Sequence, residues 1–274
     1  MRILLLKVFT HLSIKRKILI LLFLLENILN CLCADNSWCD PQLCGNKTDV
    51  HHIACENDGK FKEGCSDDAT DIDISNYKQV FLDEHNKRRN LIASGEVTGY
   101  DSAARMATVL WDDDLEYLGR LNLHTCKLDH DECNHTFKYR NVGQNLCAIS
   151  KFKTEEVDIK NIIEEAVTMW FDEYKLINKS FVEKFTGSGN FETYGHFLEM
   201  AVERNTFIGC AIMRFTRSDH TEFHIFHVVC NYSSTYAVDT PVYKAGEPAS
   251  DCKSGKNPQY PALCSEKEEV DPNY

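Results

Sequence analysis

Three stretches of the chain place apolar residues three and four positions apart, the spacing of a helix that buries one face. The first stretch begins at Tyr77 and ends at Gly95, and the second begins in the acidic run 112–114 and reaches Asn122. Acidic residues suit a helix N-terminus because they oppose its dipole. The third stretch opens at residues 154–156 and has the clearest apolar face: Ile159, Ile162, Ile163, Ala166, Val167, Trp170, Phe171 and Tyr174. The pattern predicts three helices.

Two later stretches have the composition of strands. Residues 207–215 and 223–232 are rich in Ile, Val, Phe and Cys, and the polar residues 216–221 between them predict a turn. Helices followed by a hairpin favour an α+β fold, in which the helices pack on an antiparallel sheet.

The N-terminal 34 residues have the pattern of a secretory signal peptide. Five basic residues precede a short apolar run at 18–25, and Ala34 offers a small residue for cleavage. Eight residues are too short to cross a bilayer core of about 30 Å. Because the basic start is long, a signal anchor is the alternative. We expect a secreted, extracellular protein with no transmembrane segment in the mature chain.

Composition and charge narrow the class of protein. The chain has 274 residues, of which 43% are hydrophobic and 26% charged, as in an ordinary globular protein. The net charge of −12 argues against a nucleic-acid partner, because the field of the molecule would repel a polyanion. We expect an acidic monomer.

The 13 cysteines are the unusual feature of the composition. Cleavage near Ala34 would remove Cys31 and Cys33, and the odd number that remains leaves one free thiol or one intermolecular bridge. A zinc site could be drawn from Cys44, His51, His52 and Cys55. We assign no metal there, because cysteines outside the cell pair by default.

The chain divides into four parts. We expect a signal peptide at 1–34, a cysteine-rich extension at 35–76, a main domain at 77–235 and a polar tail at 236–274. The extension has few apolar residues, so that disulfides must replace a core. In the tail, Cys252 and Cys264 can close a local loop.

The familiar catalytic motifs of hydrolases and nucleotide-binding enzymes do not occur in the sequence. His85 falls on the apolar face of the first helix, which favours a hydrogen-bonded core histidine. His224 and His227 point to opposite faces of a strand and cannot chelate one ion from there. We interpret these two, together with His220, as exposed or individually hydrogen-bonded side chains.

Several motifs carry a family resemblance. They are Gly-His-Phe-Leu-Glu-Met at 195–200, Ile-Gly-Cys-Ala at 208–211, His-Val-Val-Cys-Asn-Tyr at 227–232, His-Asn-Lys-Arg-Arg at 85–89, Leu-Trp-Asp at 110–112 and Val-Gly-Gln-Asn-Leu at 142–146. In their order along the chain, these motifs resemble those of the CAP superfamily of cysteine-rich secretory, antigen-five and pathogenesis-related proteins. The extension and the Asn-Pro-Gln-Tyr-Pro segment at 257–261 are similar to the antigen-five branch from flies, the insect venom-allergen-like proteins.

The resemblance implies a three-layer α-β-α sandwich with a surface cleft lined by two histidines and two acidic residues. His130 and His196 match the histidines, and Glu173 matches one acid. The other acid falls at Gln144, which carries no charge. Glu199 stands where the family usually has an amide, one turn from His196.

The resemblance also implies the covalent structure. The implied disulfides are Cys39–Cys55, Cys44–Cys133, Cys65–Cys126, Cys210–Cys230 and Cys252–Cys264. Cys147 is then left as the free thiol. It lies close to the cleft motif, so that a reactive thiol is one interpretation and a buried, inert one is the other.

Two functions from different classes remain. The first is a non-enzymatic, antigen-five-like protein that binds an extracellular target or a small apolar ligand such as a lipid. The alternative is a hydrolase, most plausibly a protease, that uses His130, His196 and Glu173. The amide of Gln144 favours the first, because it cannot act as a general base. No cofactor is required, although His130 and His196 could bind zinc weakly.

Four asparagines satisfy the pattern for N-glycosylation: Asn46, Asn134, Asn178 and Asn231. Asn231 ends a predicted core strand, where the glycosylating enzyme would have poor access. We therefore expect glycans at the other three, with Asn46 and Asn178 occupied first.

Overall fold

A computed structural model describes residues 36–188 and 193–273. The predicted signal peptide at 1–34 lies outside these residues. Five α-helices are described: α1 Lys78–Ser94, α2 Asp113–Leu123, α3 Ile159–Asp172, α4 Ser180–Glu183 and α5 Gly195–Ala201. Five strands accompany them: β1 Thr70–Asp71, β2 Leu110–Trp111, β3 Gly143–Phe152, β4 Phe207–Arg217 and β5 His220–Tyr232. Short 3-10 helices cover Asn36–Cys39, Pro41–Cys44 and Glu173–Leu176.

The first two predicted helices are confirmed. Helix α1 ends at Ser94 and is followed by Gly95, whose φ of 79° is left-handed and favours glycine. Helix α2 is capped by Asp112, whose carboxylate accepts hydrogen bonds from the backbone N–H groups of Asp114 and Leu115.

The predicted start of α3 is wrong. The helix begins at Ile159, because Asp158 is the residue that caps it by accepting from the N–H of Lys160. Residues 154–156 instead turn back towards β3, where the N–H of Glu155 donates to the carbonyl of Phe152.

The prediction that strands only follow the helices is also wrong. Strand β3 lies between α2 and α3 in the chain and pairs with β5 along its whole length, in a sheet ordered β1-β4-β5-β3. Strands β4 and β5 form the predicted hairpin, and both extend into the segment that the sequence assigned to the turn.

The sheet separates two helical layers, so that the three-layer α-β-α sandwich is confirmed. On one face, Trp170 of α3 and Phe81 of α1 pack with Val228 of β5. On the other face, Leu123 of α2 packs against Val229. Successive residues of β5 therefore face opposite layers, as the pleat of a strand requires.

The described residues contain five disulfides. They are the pairs that the resemblance implied: Cys39–Cys55, Cys44–Cys133, Cys65–Cys126, Cys210–Cys230 and Cys252–Cys264. Two of them join the extension to the loop after α2, beside the cleft described below.

Part of the C-terminal tail is buried in an apolar cluster, although the sequence of the tail is mostly polar. Val242, Tyr243 and Leu263 are buried in one cluster with Phe197 of α5. The buried guanidinium of Arg89 donates to backbone carbonyls that include those of Met200 and Val202, where α5 ends. Both contacts fix the position of α5, which forms one wall of the cleft. No helix within the described ranges is long and apolar enough to span a bilayer.

Candidate functional site

A surface cleft of about 570 Å³ lies between the start of β3 and the start of α5. The loop after α2 closes one side and the segment after β5 closes another. The residues that line it are Leu128, Asp129, His130, Asp131, Asn134, Val142, Gly143, Gln144, Leu146, Gly195, His196, Glu199, Thr235 and Tyr236. Four of the five expected cleft residues are therefore in the wall, and the fifth, Glu173, lies directly behind His196.

Glu173 holds His196 in one orientation. Nδ1 of His196 donates to Oε1 of Glu173 at 2.7 Å, and the backbone N–H of Phe197 donates to Oε2 at 3.1 Å. Because Nδ1 carries the proton in this bond, Nε2 of the neutral ring keeps its lone pair. The pair can present one imidazole nitrogen as a ligand or a proton acceptor.

Gln144 is engaged through both ends of its amide. Its Oε1 accepts from Nδ1 of His130 at 3.0 Å, and its Nε2 donates to Oδ2 of Asp131 at 2.7 Å and to Oδ1 of Asn231 at 3.0 Å. The amide thus orients His130 and holds the carboxylate of Asp131. It supplies no charge and no basic atom.

Glu199 faces the cleft from α5 although it is only 3% exposed. Its carboxylate accepts from the hydroxyl of Thr235 at 2.6 Å and from Nδ2 of Asn205 at 3.2 Å. Burial raises the pKa of Glu199 to about 7, and these hydrogen bonds together with the charge of Arg89 limit the rise. A side chain at Gly143 would collide with this carboxylate, so glycine is required there.

Only part of a zinc site is present in the cleft. His130 and His196 line the same cavity, but their Nδ1 atoms are occupied by Gln144 and Glu173. Among the described residues, no three His, Cys, Asp or Glu side chains are placed to hold one ion.

The sequence did not reveal Asp131, Thr235 or Tyr236 as cleft residues. Asp131 accepts from Nδ2 of Asn122 at 2.7 Å in addition to Gln144, and burial raises the pKa of its carboxyl group. An Asp-His-Asp run at 129–131 was the available signal. Tyr236 follows the last strand in a segment without periodicity, so that nothing in the sequence marked it.

Cys147 lies on β3 with its side chain in the core between the sheet and α3. Burial, together with a smaller contribution from the charge of Glu165, raises the pKa of its thiol to about 12. The structure therefore favours the inert interpretation, because the thiolate is the reactive form.

Histidines outside the cleft differ in how well they are hydrogen-bonded. His85 is the expected core histidine: Nδ1 donates to the carbonyl of Phe81 at 2.8 Å, and Nε2 accepts from the hydroxyl of Tyr232 at 2.9 Å. The expectation for His224 and His227 is wrong, because Nδ1 of each is buried without a partner among the described residues. His227 is only 6% exposed, and burial lowers its pKa to about 4.

One expected glycosylation site does not fit the structure. Asn134 is 6% exposed, and its Nδ2 donates to Oδ1 of Asn231 in the wall of the cleft. The nitrogen that would carry the glycan is thus buried and in use. Asn46 and Asn178 are exposed, whereas Asn231 is fully buried.

Comparisons with known proteins agree on one family. A model of the cysteine-rich secretory protein (CAP) family matches residues 82–232. Venom allergen-1 from Aedes aegypti is 33% identical over 235 residues, which are 85% of this chain and 89% of the relative. The antigen 5 like allergen Cul n 1 from Culicoides nubeculosus is 35% identical over 65% of this chain and 83% of its own length.

The fold has a counterpart among solved structures. A crystal structure of NaASP2 with Zn²⁺ superimposes with a TM-score of 0.56 and 25% identity, and the match covers 74% of this chain and 100% of the other.

Proposed function

Because the chain belongs to the cysteine-rich secretory protein (CAP) family, we propose that it is a secreted, non-enzymatic protein that binds an extracellular ligand through the cleft. The observation that carries this proposal is the amide of Gln144, which bonds to His130 and Asp131. A catalytic base at this position would need a carboxylate or an imidazole. The same amide is well suited to orient side chains around a bound molecule.

The remaining side chains of the cleft also favour binding. The one aliphatic hydroxyl among the described lining residues belongs to Thr235, and it donates to Glu199. Activation of a hydroxyl nucleophile needs a neighbouring group that accepts its proton and an open path to a substrate. The hydroxyl proton of Thr235 is instead used in the hydrogen bond that holds the buried carboxylate of Glu199 in place.

The apolar residues of the wall suit a small ligand with an apolar body. Leu128 is 46% exposed at the rim, and Val142, Leu146 and Tyr236 line the same cavity. A cavity of this volume lies in the range that small-molecule sites occupy. An extracellular protein that inserts one side chain into the cleft is the other form of the proposed ligand.

Secretion fits the covalent structure. Five disulfides persist in an oxidising compartment and would be reduced in the cytosol. The basic and apolar sequence of residues 1–34 supports export by the signal-peptide route, and Ala34 supports cleavage near that residue.

Ligand-induced stabilisation tests the binding function. A ligand that binds only the folded state raises the melting temperature. A small-molecule extract of the native secretion should raise the melting temperature of the wild type and leave that of a Tyr236→Ala variant unchanged. Equal shifts in both proteins would place the ligand outside the cleft, and no shift in either would contradict the binding function.

A hydrolase is the second candidate, and the hydrogen bond between Glu173 and His196 favours it. A carboxylate that orients an imidazole is a common feature of general-base catalysis. Broad-substrate peptidase assays, with and without a chelator, decide the matter. We expect no turnover, whereas reproducible turnover that is lost in a His196→Ala variant would establish the hydrolase.

We also propose weak, reversible zinc binding by His130 and His196. NaASP2 has a structure with Zn²⁺, and the two imidazoles of this chain line one cavity. Two nitrogen ligands and water hold an ion less tightly than a site with three or four protein ligands. Such an ion would occupy one side of the cleft and would not be required for the fold.

A further inference from the structure

A second cavity, of about 480 Å³, lies between the cysteine-rich extension and the loop after α2. Residues from the segment 51–57 form one side of it, and it shares residues 129–131 with the cleft. The two disulfides that join the extension to this loop hold the sides together, and the N–H of Ile53 donates to the carbonyl of Cys133 at 2.9 Å. The cavity is therefore already formed before a ligand arrives, which lowers the cost of binding.

Asn122 lies in the wall of this cavity and has one unsatisfied atom. Its side chain is only 1% exposed, and its Oδ1 has no hydrogen-bond partner among the described residues. The orientation of the amide is fixed, because Nδ2 donates to the carbonyl of Asp129 at 3.0 Å and to Oδ1 of Asp131 at 2.7 Å. A flipped amide would set its oxygen against those two acceptors. A bound molecule that brings an N–H or O–H group to Oδ1 would remove the cost of a buried acceptor without a partner.

Two lysines bring positive charge to the rim of the cavity. Lys62 belongs to the extension and Lys127 to the loop after α2, and both are exposed. Neither forms an ion pair with a residue that the structure describes. A lysine ammonium on its flexible stem binds a carboxylate or a phosphate as a point charge. The rim therefore attracts an anionic group.

The same wall also contains negative charge. The half-buried carboxylate of Asp131 accepts only from the amides of Asn122 and Gln144, and the exposed carboxylates belong to Glu56, Asp129 and Glu132. A simple anion would be repelled by these groups and could not donate to Oδ1 of Asn122. A simple cation would be repelled by the two lysines. A molecule that carries both charges complements both sets of groups.

The wall offers little contact to an apolar ligand. Ile53 carries the one aliphatic side chain among the lining residues that the structure describes. A cavity of this volume is large enough for a small molecule. The ligand that fits is therefore small and polar as well as doubly charged.

We propose that this second cavity binds a small zwitterion of the α-amino acid class. Its ammonium donates to Oδ1 of Asn122 and to the carboxylate of Asp131, and its carboxylate lies between Lys62 and Lys127. The extension is part of this site because it supplies Lys62. The site is separate from the ligand site proposed for the cleft, so that either can exist without the other.

An NMR titration of the complete, isotope-labelled secreted chain tests the proposal with three matched probes, each added in the presence of EDTA. L-Glutamine is a zwitterion, N-acetyl-L-glutamine lacks the ammonium, and L-glutaminamide lacks the carboxylate. At pH 7 an α-ammonium is mostly protonated and a carboxylate is ionised. We expect L-glutamine to bind at least tenfold more tightly than either of the other probes, a difference of about 1.4 kcal/mol. The side-chain amide signals of Asn122 should shift with the same dissociation constant.

Variants of the wall identify the partners of each charge. A variant with both Lys62→Met and Lys127→Met should bind L-glutamine about tenfold more weakly and L-glutaminamide no more weakly than the wild type. Asp131→Asn should weaken L-glutamine and L-glutaminamide by similar factors. Melting curves show whether each variant is folded, and if Asp131→Asn fails to fold, the lysine variant and the signals of Asn122 still decide.

Two control variants accompany the titration. Lys47→Met removes an exposed lysine of the extension that does not line the cavity, and it should change nothing. Tyr236→Ala alters the cleft but not the second cavity, and it should leave the affinity for L-glutamine unchanged.

Four results would overturn the proposal. They are equal affinity for the three probes, no binding of any probe, a preference for L-glutamine that persists in the double lysine variant, and loss of binding in Tyr236→Ala. The third would mean that the carboxylate lies elsewhere, and the fourth would place the probe in the cleft. The binding function of the cleft is judged separately, by the experiment with the native extract.

Discussion

Nδ1 of His196 lies 2.7 Å from Oε1 of Glu173, and the other oxygen of that carboxylate accepts the backbone N–H of Phe197. One side chain therefore fixes both the imidazole and the first turn of α5. On the opposite side of the cleft, Gln144 fixes His130 in the same way but without a charge. The two histidines are thus held by unlike partners, and this asymmetry determines what the cleft can do.

A carboxylate introduced at position 144 should strengthen zinc binding. Gln144→Glu places a negative oxygen ligand beside His130, and carboxylates are good zinc ligands. We expect the wild type to bind zinc weakly at pH 7.5 and the variant to bind at least tenfold more tightly, as measured by titration calorimetry. Binding should weaken in acid, because a protonated imidazole nitrogen cannot bind a metal ion.

Two controls accompany this titration. A variant with both His130→Ala and His196→Ala should release no heat, and Gln144→Met should bind no better than the wild type. Absence of heat from both the wild type and Gln144→Glu would show that the imidazoles do not act as a pair of ligands.

Alkylation should find one free thiol, at Cys147. Under denaturing and non-reducing conditions a single label is expected there, because the other ten cysteines of the described chain are paired. In the folded protein the same thiol should resist labelling, since it is buried and protonated. Peptide mass spectrometry locates the label. A label at Cys252 or Cys264 would show that the bridge in the tail is absent.

Glycans should occupy Asn46 and Asn178 and be absent from Asn134 and Asn231. The first two side chains are exposed, and the last two are buried and bonded to each other. Glycopeptide mass spectrometry of the secreted protein measures occupancy at each site. Full occupancy of Asn134 would contradict the wall of the cleft as described, because Nδ2 of this residue could not then reach Asn231.

The protein should lose stability in mild acid, and His227 should account for part of the loss. Burial lowers the pKa of His227 to about 4 in the folded chain, below the 6.5 of an unfolded chain. The unfolded state therefore binds the proton more readily. The contribution is fully present above pH 6.5 and is lost as the pH falls towards 4, by up to about 3 kcal/mol.

Urea unfolding at several pH values between 7 and 4 measures this loss. His227→Leu, which places an apolar side chain in the cluster with Phe215 and Met213, should flatten the dependence on pH. His220→Leu is the matched control, because His220 is exposed on the same strand. An unchanged slope in His227→Leu would show that His227 titrates normally.

Local patterns in the sequence predicted the helices better than the sheet. Helix α1 could be predicted because its apolar residues share one face and Gly95 ends it. Strand β3 could not, because residues 143–147 are almost all buried and only the second half alternates between buried and exposed. The start of α3 was misplaced because acidic residues also occur in turns, and only the hydrogen bond to Asp158 distinguishes the true cap.

The cleft could also be predicted only in part, but the reason differs from that for the sheet. Motif resemblance placed His130, Gln144 and His196 together, although they are far apart in the chain. The contact between Gln144 and Asp131, and the position of Tyr236, depend on how the loop after α2 and the segment after β5 fold over the sheet. Such contacts between unlike polar residues leave no periodic signal.

Native mass spectrometry of the protein purified from its own secretion tests most directly whether the cleft binds a ligand. We expect a small-molecule adduct at one copy per chain on the wild type, and its loss from a Tyr236→Ala variant expressed in the same tissue. A wild-type mass that matches the polypeptide and its glycans alone would contradict ligand binding in the cleft, as would an adduct that the variant retains in full.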